Sequence, residues 1–234
     1  MDTNQQQAVF AITATVLASF IYFLLLDWMK SSGEGKKETI LRRFYAVRKT
    51  TGFLLLGLIP GIVAWRMYGT GPSEAGLTWA FTSDIWIWVI AAVVFFTLMN
   101  LVNSRKEGIY AVYPEMRLKH WGYGDLFLSG SGWVLYLAGY EYLFRGLLLF
   151  SCYDAFGLWP AVVINLALYS ALHLPKGMKE AIAAIPFGAL LCYLTIESQS
   201  ILAAIVIHAV QAISCEILCI WKNPEMNYKF SNNN

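Results

Sequence analysis

The chain has 234 residues, of which 58% are hydrophobic, 15% aromatic and only 14% charged; a typical soluble domain is about 25% charged. That balance excludes an ordinary soluble fold and reads as a polytopic membrane protein made of a single membrane domain. The net charge of +2 comes without a basic patch interleaved with aromatics, so nucleic acid is not an expected partner.

Seven apolar runs approach the roughly 20 residues that a spanning helix needs. They cover residues 8–28, 51–68, 85–103, 131–150, 158–174, 181–196 and 200–221. The expected fold is therefore all-α with about seven transmembrane helices. Residues 1–230 form one transmembrane domain, with 8–105 as peripheral helices and 110–222 as the core that carries the unusual polar residues. Gly33-Glu34-Gly35 and Gly69-Thr70-Gly71-Pro72 read as loops, and the Asn-rich tail at 231–234 as disordered. Pro60 and Pro186 are expected to interrupt the second and sixth helices.

Basic residues alternate between the linkers. The first linker holds Lys30, Lys36, Lys37, Arg42, Arg43, Arg48 and Lys49, the third Arg105, Lys106, Arg117 and Lys119, and the fifth Lys176 and Lys179. The linkers between them have no lysine or arginine. Positive loops stay cytoplasmic, which puts the N-terminus outside and the C-terminus in the cytoplasm of a multi-pass protein, expected in the plasma (inner) membrane. Trp28, Trp65, Trp86, Trp121, Trp159 and Trp221 lie at or near span ends, where indole rings favour the headgroups. Cys152, Cys192, Cys215 and Cys219 show no CxxC spacing and read as small apolar packing residues.

The fourth run breaks the apolar pattern with Tyr140-Glu141-Tyr142-Leu143-Phe144-Arg145-Gly146. A charge at membrane depth costs about 2.5 to 3.5 kcal/mol or more, so the two must be paired or hydrated. The i,i+4 spacing brings Glu141 and Arg145 within reach of one another. In the fifth run Asn165, Tyr169 and His173 repeat at i,i+4,i+8 along one helix face, and the seventh carries His208 and Gln211. A carboxylate and two imidazoles on three helices suit water activation and oxyanion stabilisation. They would equally suit a zinc site of two histidines and one carboxylate, but no helix carries two ligands at HExxH-like spacing, so neither metal nor another cofactor is expected.

In this order YEYLFRG, YSALH ending at His173, and SILAAIVIHAVQA around His208 resemble the EExxxR, FxxxH and HxxxN motifs of the CAAX protease and bacteriocin-processing (Abi) family of intramembrane proteases. The resemblance spans about residues 110–215. It implies a hydrolase that cleaves a peptide bond near the cytoplasmic face, acting on a peptide or membrane protein among membrane lipids. By position it implies catalytic roles for Glu141, His173 and His208. His173 would orient water, His208 would face the oxyanion, and Arg145 would hold Glu141, with Tyr169, Gln211 and Glu180 in support.

Two positions depart from the family pattern. The first glutamate of EExxxR is Tyr140, whose phenol, with an ordinary pKa of about 10, is a poor base at neutral pH. The asparagine of HxxxN is Ala212, with Gln211 one residue earlier. Glu180, at the start of the sixth helix, is a further carboxylate, favoured there by the helix dipole in any case. Three functions follow from these residues: an intramembrane endopeptidase, a non-hydrolytic relative serving as membrane scaffold or partner-binding protein, and a proton-coupled transporter. The last is disfavoured because polar residues concentrate in one half of the chain instead of in paired repeats.

Overall fold

The computed structural model describes residues 1–30, 37–79 and 83–228. The Gly33-Glu34-Gly35 loop and the 231–234 tail lie outside them. The protein is an all-α bundle. Six helices are long and apolar enough to cross a membrane: Thr3–Trp28, Glu38–Tyr68, Asp84–Asn103, Leu158–Lys176, Met178–Ser198 and Leu202–Lys222. The fourth helical run in chain order is more polar and is composite: α-helix at Tyr123–Glu141, π-helix at Tyr142–Leu149 and α-helix again at Phe150–Phe156.

That fourth run is the axis of the bundle. Leu143, Phe144, Leu148 and Leu149 are fully buried, and the first, second, fifth, sixth and seventh helices all pack against it. The third helix packs instead on the sixth and seventh, at the periphery. Close packing of the axis depends on glycine. A Cβ on Gly57 would lie 2.5 Å from the Cα of Gly139, and one on Gly146 would lie 2.7 Å from the Ala75 carbonyl oxygen. The second helix and the 69–79 loop therefore approach the axis backbone to backbone, which is how membrane helices gain contact without a hydrophobic driving force.

Several expectations change in detail. The second helix begins at Glu38, well before residue 51. Its cationic first half is helical because it finds partners: Arg42 Nε donates to Asp125 at 2.6 Å, and Arg48 and Lys49 reach Glu115 at 2.7 and 2.8 Å. Pro60 does not interrupt this helix. A π-helical turn at Leu54–Leu58 precedes it, widening the helix where the proline ring and its missing N–H would otherwise break the ladder. Trp121 is wholly buried and donates its indole N–H to the Leu118 carbonyl, so it is not an interfacial residue. Trp28 and Trp159, in contrast, are largely exposed. All four cysteines are free and buried.

The basic linkers meet at one end of the bundle. Lys176 Nζ donates to the Tyr113 hydroxyl at 3.3 Å, and Lys222 Nζ to the Leu101 carbonyl at 3.1 Å. A two-residue parallel strand pair, His120–Trp121 with Asn227–Tyr228, ties the third linker to the tail. Beneath this layer Glu115 is nearly buried between Arg48 and Lys49. Burial pushes its carboxyl up, but the Lys49 ammonium and Arg48 guanidinium outweigh that and hold it down at about 2. Its backbone N–H donates to Glu216 at 3.2 Å, whose other oxygen accepts from Ser129 at 3.1 Å.

Candidate active site

Glu141 closes the α-helical half of the axis, and its carboxylate is wholly buried. Oε2 lies 3.2 Å from Arg145 Nη1. Oε1 accepts from His208 Nδ1 at 2.5 Å. The expected i,i+4 pair is thus present, and a third partner from the seventh helix completes it. Arg145 is equally buried, with Nη2 3.4 Å from the Gly188 carbonyl and its guanidinium 4.4 Å from the centre of the Tyr169 ring. Beside the Glu141 carboxylate, cation–π contact and a backbone carbonyl help to replace water around this cation.

Both histidines contact Tyr169, with ring centres 4.7 Å (His173) and 6.1 Å (His208) from the tyrosine's. The imidazoles are therefore no farther apart than those two lengths combined. The fifth helix ends at Ala171, so His173 lies in the turn that follows it. There its Nδ1 donates to the Tyr169 carbonyl at 2.9 Å. Because a carbonyl and a carboxylate only accept, both imidazoles carry their proton on Nδ1 when neutral. Nε2 is left as the free, basic nitrogen of each.

Two cavities meet at this pair. A larger one of about 190 Å³ is lined by Asn100, Trp133, Tyr169, His173, Glu180, His208 and Gln211, among others. A smaller one of about 80 Å³ is lined by Tyr140, Trp133, His173, His208, Arg48 and Glu115, with Ser19, Tyr22 and Phe23 from the first helix. His173 and His208 line both. Glu141 lines neither, since both its oxygens point to protein partners. Glu180 and Gln211 line the larger cavity, and Ala212 is buried in its wall.

Asn165 is placed elsewhere. Its Nδ2 donates to the Phe144 carbonyl at 2.7 Å and its Oδ1 accepts from Cys192 Sγ at 3.3 Å. Phe144 lies in the π-helical segment, where the ordinary i,i+4 ladder is interrupted, so Asn165 satisfies a backbone group that lipid could not. Asn100 of the third helix and Arg48 of the second are among the residues that reach the site without any signal in the motifs. Asn100 donates through Nδ2 to the Gln211 carbonyl at 2.8 Å and to Ser214 Oγ at 2.9 Å, pinning the main chain beside the Gln211 carboxamide. Arg48 forms part of the smaller cavity's wall. An asparagine inside an otherwise apolar span was the available sign for the first.

Among the described residues no group of three or more histidine, cysteine, aspartate or glutamate side chains is arranged to hold a metal ion. No curated protein and no solved structure matches the chain. A family model does: residues 126–213, the stretch that holds Glu141, Arg145, His173, His208 and Gln211, match the Rce1-like family of type II CAAX prenyl endopeptidases, in line with the resemblance of the three motifs.

Proposed function

We propose that this chain is an intramembrane endopeptidase in which His208, backed by Glu141, takes the proton of an attacking water, with His173 holding that water from the other side. The observation that carries the reading is the 2.5 Å contact between Glu141 Oε1 and His208 Nδ1. A buried carboxylate on Nδ1 fixes the imidazole's tautomer and stabilises the imidazolium formed when Nε2 gains a proton, as in a carboxylate–histidine–nucleophile triad. The Glu141 carboxylate does not reach a cavity itself, so its part is to position. Arg145 neutralises it, and His208 is then the group that meets substrate. His173, with Nε2 free on the same cavities, accepts the water's second hydrogen bond.

The substrate class is a peptide or membrane protein presented at the end of the bundle where the basic linkers gather. With the N-terminus outside and the C-terminus in the cytoplasm of a plasma membrane protein, that end is cytoplasmic. A second reading, a non-hydrolytic membrane scaffold, draws on Tyr140 and Ala212, which replace an acid and an amide of the family pattern. A cleavage assay on membrane-anchored peptides separates the two. The enzyme reading expects wild-type turnover and a loss of about 100-fold or more in His208→Ala and His173→Ala. A folded wild-type protein inactive on every peptide would establish the scaffold reading.

A further inference from the structure

Among the buried hydrogen-bond donors with no acceptor around the histidine pair are the hydroxyls of Tyr140 and Tyr169 and the indole Nε1 of Trp133. Each belongs to a residue that lines one or both cavities. Buried donors without acceptors destabilise a resting fold and are uncommon, so a cluster of them beside a reactive pair asks for an acceptor that arrives later. Tyr140 is the best placed. Its ring stacks on Phe144 at 4.6 Å, which fixes its orientation, and stands edge-on to His208 with centres 5.9 Å apart.

We infer that Tyr140 is an oxyanion donor: its hydroxyl hydrogen-bonds the oxygen of the tetrahedral intermediate when a peptide carbonyl is attacked beside His208. This rests on the peptidase reading above. It makes the two departures from the family pattern complementary. With alanine at position 212 the family's amide is missing at that position, the neighbouring Gln211 lining the larger cavity, and the Tyr140 phenol, set against His208 on the smaller cavity, supplies a donor from the axis helix. The carboxylate lost at position 140 is in turn not needed, because His208 and Glu141 together supply the base. In the step itself the water oxygen bonds to the carbonyl carbon and its proton moves to His208 Nε2. The carbonyl π pair becomes the oxyanion held by the Tyr140 O–H. On collapse the C–N bond breaks and the leaving amine takes the proton back from His208, so Tyr140 donates a hydrogen bond throughout and transfers no proton.

Tyr140→Phe is the test, because it removes only the hydroxyl. On a peptide that the wild-type protein cleaves, kcat should fall about 100-fold with KM within about twofold, and the melting temperature should hold or rise, since an unpaired buried hydroxyl is gone. Binding adds a readout that packing alone would not move. Affinity for the corresponding peptide phosphonate, a tetrahedral anion, should weaken at least about tenfold in Tyr140→Phe, and affinity for the uncleaved peptide amide less than about twofold. Equal kcat in the two proteins, or an equal loss of affinity for phosphonate and amide, overturns the inference and leaves the peptidase reading standing. If the wild-type protein cleaves no peptide, the two fall together.

Discussion

Replacing Glu141 by glutamine removes one charge from a pair that has no water to fall back on. At 3.2 Å, and with an effective dielectric of about 20, the attraction to Arg145 is about 5 kcal/mol. The guanidinium left behind keeps neutral partners such as the Gly188 carbonyl at 3.4 Å and the face of Tyr169, and no carboxylate beside it. Glu141→Gln should therefore destabilise the folded protein by about 3 to 5 kcal/mol, and Arg145→Leu by a similar amount, since each strands one buried charge. The double variant buries no charge and should recover most of the loss, giving a coupling of at least about 2 kcal/mol. Denaturant titration of the four proteins in detergent measures it. Single losses below about 1 kcal/mol, or strictly additive ones, would refute the ion-pair reasoning. The same Gln variant should lower kcat by about 100-fold or more, because the amide no longer stabilises an imidazolium at His208.

The Glu115 cluster predicts a pH effect of definite sign. Its carboxyl is held at about 2 in the folded protein, below an unfolded value of about 4.3, so its contribution of about 3 kcal/mol is fully present above that unfolded value and is lost as pH falls toward 2. Melts of wild type should decline through that window, and Glu115→Gln, already destabilised, should decline less. Glu180→Gln should leave cleavage within about threefold, because the carboxylate is at the larger cavity's wall while His208 supplies the base; a loss of about 100-fold would move the base to Glu180. Elemental analysis should find no stoichiometric zinc, and one zinc per chain lost in His173→Ala would replace the carboxylate–histidine base with a metal.

The bundle was legible from apolar run length alone, because lipid demands about 20 residues per crossing whatever the side-chain detail. The Glu141–Arg145 pair was legible too, since helix geometry fixes i,i+4 neighbours. What local spacing could not supply is the third partner. His208 lies 67 positions from Glu141, and only tertiary packing decides that the seventh helix delivers its imidazole to that carboxylate. The same holds for the second helix, whose start at Glu38 depends on Asp125 and Glu115 being near enough to accept from its cations. Asn165 reads from its i,i+4 relation to Tyr169 as part of a polar face. Its actual partner is the Phe144 carbonyl, in a π-helical segment that apolar periodicity does not announce.

The π-helical segment at Tyr142–Leu149 sets the phase of everything that follows it. A π turn holds an extra residue compared with an α turn, so side chains beyond it are rotated about 100° from where an unbroken helix would put them. With this phase Cys152 is enclosed and Tyr153 is partly open. Deleting one residue within the segment would let the ladder close as ordinary α-helix, turning that buried thiol outward while leaving Glu141, upstream, where it is. One chain can in this way serve two masters along a single rod, its first half in register with the histidine-lined cavities and its second half in register with the first helix.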